Sequence, residues 1–262
     1  RSKIEINSLF LTMVDIKSVI ELVKPNIVHL ISIKPVILGG LALHFVKQKP
    51  FIVSSISGLG QIYIDSGLIS FIKKCITTLL YSIAFFHKRL LVIFQNNSDQ
   101  NLLSLLTGLS INKTYLISGS GVDLRLFKYS PLPKGKPIIL FTGRLLRSKG
   151  IFEFVAAAKK LKNHARFVIC GEPDFDSKDS ISKELLNTWI EANYFEYWGF
   201  LDNMYDIISK STIVVLPSYR EGLPKILCES AACGRPVITT DVPGCRDAII
   251  VNKTGYLVPV RN

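Results

Sequence analysis

Two carboxylates, Glu221 and Glu229, frame the stretch Glu221-Gly222-Leu223-Pro224-Lys225-Ile226-Leu227-Cys228-Glu229. A buried strand expected over residues 212–216 leads into this stretch. At Gly222 the absence of a side chain lets another backbone come close, and Pro224 suits the first position of a helix. The free N–H groups of that first turn carry partial positive charge and suit a phosphate. Glu221 stands at the mouth of the loop, while Glu229, about eight residues on, lies roughly 10 Å deeper along the helix at ~1.5 Å per residue. A plain reading competes: Glu221 caps the helix, and Glu229 pairs with Lys225 four residues earlier.

A second phosphate-suited element lies upstream, where a strand over residues 138–142 runs into Gly143-Arg144-Leu145-Leu146-Arg147-Ser148-Lys149-Gly150. Arg144 and Lys149 bracket this turn. Arginine supplies a planar fork of donors and lysine a point charge, a combination suited to clamping a diphosphate whose charge grows as it leaves. On spacing alone the two are as readily solvated charges at a turn; the carboxylate pair, in the same order along the chain, favours the site.

Together these residues resemble the family 4 (group 1) retaining glycosyltransferases of the GT-B fold, bacterial surface-polysaccharide type. Those proteins carry a Gly-Arg-Leu…Lys-Gly loop followed by a Glu, seven residues, Glu motif. The resemblance extends to Ser120-Gly121-Val122-Asp123…Phe127, similar to the family's entry to its second domain, and to Gly199-Phe200-Leu201, similar to its base-binding turn. Pro25-Asn26-Ile27-Val28-His29-Leu30 resembles a strand of the family's first domain, and Val28-His29-Leu30-Ile31-Ser32-Ile33-Lys34-Pro35 and Ile56-Ser57-Gly58-Leu59-Gly60 resemble bacterial members that extend lipid-linked oligosaccharides.

The resemblance implies an α/β, GT-B architecture of two Rossmann-like doubly wound domains facing a cleft, the first truncated at its N-terminal end and the second at its C-terminal end. By the same token Arg144 and Lys149 hold the diphosphate of a nucleotide-sugar donor, a UDP-sugar, and Glu221 contacts the donor sugar; these three form the catalytic set. Glu229 meets the ribose, Gly143, Gly222, Leu223 and Pro224 complete the donor pocket, and Gly199 and Phe200 frame the base. Ser57, Gly58 and Gly60 fall on the acceptor side, in a loop where many relatives carry a histidine. The implied acceptor is a glycan or lipid-linked oligosaccharide. No metal and no cofactor is implied, and the implied location is cytoplasmic, peripheral on the inner face of the membrane.

Composition bounds these expectations. A chain of 262 residues suggests two compact units, taken as 1–128 and 129–262, and 48% hydrophobic with 20% charged residues is a globular balance. The formal charge of +12 is uneven: residues 1–128 hold 14 basic and 6 acidic residues, against 18 and 14 in residues 129–262. Such an excess favours phosphate-rich partners, whether nucleic acid, anionic lipid or a diphosphate. Against nucleic acid, the aromatics are scattered and no helix is a run of Arg and Lys. A non-hydrolysing sugar-nucleotide epimerase shares the fold and donor but should lack the Arg-Lys and paired-Glu order. Five cysteines, at 75, 170, 228, 233 and 245, show no paired metal spacing, and their odd count fits a reducing compartment. The opening Arg1-Ser2-Lys3-Ile4 has no signal-peptide pattern and reads as the start of a fragment.

Along the first half, periodicity predicts a helix over 14–24, a strand over 27–31, a helix over 36–45, strands over 51–56 and 90–94, and a glycine-rich turn at 57–60. The apolar run 75–86 lies between Lys73-Lys74 and His87-Lys88-Arg89. It is shorter than the ~20 residues that span a bilayer, and reads as a core helix with basic ends, a reading compatible with a surface lying on an anionic membrane. In the second half strands are expected near 138–142, 166–170, 194–198, 212–216, 236–240 and 255–258, with helices near 150–162, 181–191, 203–209, 224–233 and 244–249. This is a doubly wound pattern, whose ligands gather at the carboxyl ends of the strands, where the turns at Gly143, Gly171, Gly222 and Gly244 fall. Asp174-Phe175-Asp176 only spells a metal motif and reads as solvated, Gly119-Ser120-Gly121 lacks the third glycine of a dinucleotide fingerprint, and His29 reads as structural or cleft-lining.

Overall fold

Apolar strands separated by single helices favour parallel pairing, and the chain pairs them so twice. In the computed structural model, which describes residues 6–63, 67–119 and 121–262, the chain divides into units Arg1–Gly119 and Ser120–Asn262. The first unit contains α1 (Ile6–Val23), β1 (Ile27–Ile31), α2 (Ile33–Leu43), β2 (Phe51–Ile56), α3 (Leu68–Phe85), β3 (Leu90–Phe94), α4 (Asn97–Thr107) and β4 (Thr114–Leu116). Its parallel sheet runs β1-β2-β3-β4, in sequence order. Right-handed crossovers between successive neighbours place the helices on one face. There Ile20, Val36, Leu43, Tyr81, Phe85 and Leu103 from the helices meet Leu30, Ile52, Val92 and Phe94 from the strands in one core.

The alternate strand residues point the other way. The register sets Ile27 beside Phe51, Ile31 beside Ser55 and Ile93 beside Tyr115 on this second face, where Ile27, Ile31, Phe51 and Tyr115 are exposed. His29 belongs to it too, its Nε2 lying 2.8 Å from Ser55 Oγ. At the end of β2, Gly58 and Gly60 take positive φ on either side of a fully buried Leu59. Ser57, Gly58 and Gly60 thus form a turn pinned by one apolar side chain. Ser120 and the opening Arg1-Ser2-Lys3-Ile4 lie outside the described residues.

Four helices differ from expectation: α1 begins at Ile6, well before residue 14, and the helix expected near 244–249 is only a 3-10 turn at Arg246–Ala248; the other two are α3 and α4. α3 begins at Leu68, well before the expected apolar run, and only Tyr81, Ala84 and Phe85 along it are buried. The reading of it as a core helix therefore holds for one side alone. α4 was not foreseen; Asn96 Oδ1 accepts from Asp99 N at 2.8 Å to cap its start, and Gly108 in the left-handed region closes its end.

The second unit follows β5 (Ile138–Thr142), α5 (Ile151–Leu161), β6 (Arg166–Cys170), α6 (Lys183–Glu191), β7 (Glu196–Gly199), α7 (Met204–Lys210), β8 (Ile213–Leu216), α8 (Lys225–Ala232), β9 (Val237–Thr240) and β10 (Gly255–Val258). The sheet order is β10-β9-β8-β5-β6-β7, all parallel. Alternation along the strands feeds a core on each face. Leu140, Val168, Val214 and Val237 pack with Ile207, Ile208 and Leu227, while Phe141, Phe167 and Ile169 pack with Ile151, Phe154 and Leu186. Cys170, Cys233 and Cys245 are buried free thiols; burial pushes the Cys245 thiol up to about 12.

The unit boundary falls at Gly119–Ser120 and not after Lys128, because residues 127–131 already belong to the second core. Phe127 packs into it, and the buried Arg235 grips the next residues. Its Nη1 donates to Ser130 O at 2.6 Å and its Nη2 to Ser130 Oγ at 2.6 Å and Pro131 O at 3.0 Å. Further bonds run to Ile208 O, Ser209 O and Cys233 O at 3.2, 2.8 and 2.9 Å. These carbonyls sit at the ends of α7 and α8, where the negative end of each helix dipole offsets the buried charge. Arg235→Met should strand several carbonyls without donors and destabilise the second unit by about 3 kcal/mol or more. Both tryptophans, Trp189 and Trp198, lie in this unit, so denaturant unfolding followed by their fluorescence reads the loss; an unshifted midpoint would remove Arg235 as the clasp.

Candidate functional site

β5 and β8 are neighbours, yet the chain leaves β5 toward β6 and β7 and leaves β8 toward β9 and β10. Their loops diverge, and a crevice opens at the carboxyl ends of the two strands. The loop after β5 carries residues 143–150 and the loop after β8 carries 217–224. Backbone meets backbone where they touch. At Gly150, with φ 77°, a Cβ would stand 2.2 Å from Pro217 O, and at Gly244, with φ 80°, one would stand 2.2 Å from Gly222 O. No other residue type fits either approach without displacing a main chain. Tyr219 N donates to Ser148 O at 2.8 Å across the same seam, and Thr240 Oγ1 donates to Ser218 O.

This seam surrounds a cavity of about 390 Å³. Of the residues singled out in the sequence, Gly143, Arg144, Lys149, Glu221, Leu223, Pro224 and Glu229 line it, as does Lys225. Gly222 forms the turn beneath, facing Gly244. Thr142, Met204, Leu216 and Ile226 complete the wall; Ile226 belongs to the Glu221–Glu229 stretch, and the other three come from strand ends and a helix start that carry no motif. Gly199 and Phe200 stand outside this cavity, at the end of β7, where Gly199 O accepts from Gly171 N at 2.8 Å and Phe200 is exposed. Trp198 packs against the second unit's core. Ser57, Gly58 and Gly60 belong to the first unit.

The charged groups are already paired. Lys149 Nζ donates to Glu221 Oε1 at 2.5 Å, and Ser218 Oγ donates to the same oxygen at 2.7 Å. Glu221 thus holds Lys149 at the crevice, and Ser218, which no sequence signal marks, holds Glu221. Arg144 Nη1 donates to Asp174 Oδ2 at 2.7 Å. Asp174 is therefore a tether for Arg144, a correction to its reading as a solvated charge. Glu229 is 5% exposed, and its Oε1 lies 3.1 Å from Lys225 Nζ, the helical pair expected from their spacing. Behind the site Tyr219 Oη donates to Glu153 Oε1 at 2.7 Å; burial, then the Glu153 carboxylate, push the phenol up to about 12, so it stays a donor through the neutral range.

α8 starts at Pro224 with no side chain capping it. Leu227 N donates to Pro224 O at 3.1 Å, which leaves the amides of Lys225 and Ile226 at the cavity wall with the positive end of the helix dipole. Arginine, lysine and open amides around one cavity can hold a multiply charged anion, and the two carboxylates can accept from hydroxyls.

The model of the family described as Glycosyl transferases group 1 matches residues 123–262. Among curated proteins, the N,N'-diacetylbacillosaminyl-diphospho-undecaprenol alpha-1,3-N-acetylgalactosaminyltransferase of Campylobacter jejuni is 31% identical over 238 residues, which cover 86% of this chain and 61% of that protein. The capsular polysaccharide biosynthesis glycosyltransferase CapM of Staphylococcus aureus is 25% identical over 273 residues, covering 93% and 67%. This chain thus spans less than two thirds of the length of the Campylobacter relative. Among solved structures, sucrose-phosphate synthase from Thermosynechococcus elongatus superposes with a TM-score of 0.81 at 21% identity, covering 99% of this chain and 68% of that one. Anabaena HepE in complex with UDP gives 0.77 at 16%, covering 95% and 68%. The fold is that of the GT-B glycosyltransferases. Since the family's model spans the whole crevice and more than half of the sequence, the chain belongs to the group 1 glycosyl transferases.

Proposed function

We propose that the chain carries the donor site of a retaining glycosyltransferase that moves a sugar from a nucleotide-sugar, a UDP-sugar, to a glycan or lipid-linked oligosaccharide acceptor in surface-polysaccharide assembly. The observation that carries this reading is the convergence of Arg144, Lys149, Glu221, Glu229 and the uncapped start of α8 on one cavity. Two comparisons support the finer terms: the Campylobacter relative is named for N-acetylgalactosamine and a diphospho-undecaprenol carrier, and HepE was solved with UDP and with UDP-glucose. The reaction belongs on the cytoplasmic side, at the inner face of the membrane.

In this scheme the diphosphate lies between Arg144, Lys149 and the α8 amides, which stabilise the charge that grows as the sugar departs. A diphosphate draws Lys149 from Glu221. The released Oε1 then accepts from a donor-sugar hydroxyl, and Glu229 accepts from the ribose. Retention requires the new bond to form on the face the diphosphate leaves, so a diphosphate oxygen takes the acceptor proton and no side-chain base is needed. The cationic work is assigned to side chains and amides, with no metal and no cofactor. Incubating the protein with a panel of radiolabelled nucleotide sugars and membrane extract, and scoring transfer to lipid, tests the whole reading; an epimerised sugar formed from the donor alone would replace it.

The roles of the two carboxylates separate kinetically. Glu221→Gln should chiefly lower kcat, and Glu229→Ala should chiefly raise the donor KM; equal small changes in both parameters for both variants would sink the assignment.

Arg144→Ala and Lys149→Ala should each cost about 10²–10³-fold in kcat/KM with the fold intact. Because Lys149→Ala leaves the Glu221 carboxylate facing the diphosphate, the double variant with Glu221→Gln should lose less than the product of the single losses. EDTA should leave the rate unchanged, and inhibition that Mg²⁺ reverses would overturn the metal-free scheme.

A further inference from the structure

The loop after β5, which carries Arg144 and Lys149, has a template beside it. The loop after β6, residues 171–182, lies along it as a short antiparallel ladder. Leu145 N donates to Glu172 O at 3.0 Å, Arg147 N to Asp179 O at 2.8 Å and Ile181 N to Leu145 O at 3.1 Å, and Leu146 is bridged to Ser180. At their roots the two loops meet with no side chain between them, since a Cβ on Gly171, at φ 141°, would stand 2.0 Å from Gly143 O.

Two aspartates of the template reach back to the two ends of the cationic loop. Asp179 Oδ2 accepts from Ser148 N at 2.9 Å and from Ser148 Oγ, one residue before Lys149. At the other end Asp174 Oδ2 accepts from Arg144 Nη1 at 2.7 Å. Asp174 is itself fixed: its N donates to Ser180 Oγ at 2.9 Å and its O accepts from Ser177 N at 2.8 Å. The side chains of Arg144 and Asp174 are 63% and 26% exposed. An ion pair so open to water adds little to stability, so its consequence lies in where it puts the guanidinium.

We infer that Asp174 is a positioning residue for the donor diphosphate, holding Arg144 at the cavity by one nitrogen and leaving the rest of its fork for the anion. The inference rests on the donor-site reading above. A guanidinium carries five N–H donors in a rigid plane, and the bond to Asp174 takes one of them. An arginine free to swing must be ordered when an anion binds, a cost that holding it beforehand removes. The opposite role, a counter-ion that the anion must displace, fits Glu221, which lines the cavity with Lys149; Asp174 stands outside that wall.

Calorimetric titration with UDP, and with inorganic pyrophosphate as the bare diphosphate, tests this. Asp174→Ala should weaken both about fivefold, the factor that ordering one long side chain costs, with the midpoint of thermal unfolding unchanged. Asp174→Asn, whose amide oxygen still accepts from Nη1, should recover most of that affinity. In an Arg144→Ala background Asp174→Ala should cost nothing further, because the residue acts only through Arg144. Additive losses, unchanged or tighter binding to Asp174→Ala, or a lowered unfolding midpoint that Asp174→Asn shares would overturn the inference and leave the donor-site reading standing. An unaltered protein that binds neither UDP nor pyrophosphate would overturn both.

Discussion

The second unit depends on one steric constraint: at the carboxyl end of its sheet, main chain must touch main chain. Lys149 can reach Glu221 only because Gly150 lets the loop after β5 lie directly on Pro217. The loop after β8 in turn rests on Gly244 through Gly222 O. Side chains at these contacts would hold the loops several ångströms apart, and the cations, carboxylates and first-turn amides of α8 would no longer share a cavity. Glycine here sets distance, and distance sets which charges meet.

The two units solve burial differently. Reversal of strand order about β5 and β8 gives the second sheet a core on each face, so its strands are covered on both sides. Sequence-order neighbours give the first sheet a single helical layer. Much apolar surface there, on the sheet and along α3, is therefore left outward, in the part of the chain with the larger positive excess. One unit concentrates charge at a crevice and the other spreads hydrocarbon beside cations.

The residues of the crevice were legible because a strand followed by a glycine turn is a local pattern; Gly143, Arg144, Lys149 and Glu221 each sit in one, and Glu229 lies in the helix that follows. Their pairings were not. Lys149 and Glu221 are 72 positions apart, and Arg144 and Asp174 are 30 apart; only the sheet order brings them together. The strand ladder of the second unit was read closely because its apolar runs are short and separated by turns. The apolar periodicity gives no sign of α4 because Asn97-Ser98-Asp99-Gln100-Asn101 opens it with polar residues. For α3, composition gave an apolar helix but not which side would be buried, since that depends on what packs against it. The unit boundary misled for a similar reason: a proline-containing polar stretch looks like a linker until Arg235, far along the chain, closes on Ser130 and Pro131.

The pairing of Lys149 with Glu221 also makes the crevice its own inhibitor. An empty basic pocket would attract any small anion, chloride and inorganic phosphate included. Here the ammonium is already neutralised by a carboxylate that Ser218 keeps in register, so an incoming anion must outbid a resident one held at no cost in translational freedom. A monovalent ion has little to offer in that exchange. On the donor-site reading proposed above, a diphosphate brings more charge and, tied to a sugar and a nucleoside, further contacts to offset the displaced carboxylate. The resident ion pair thus acts as a threshold that sparse charge does not pass.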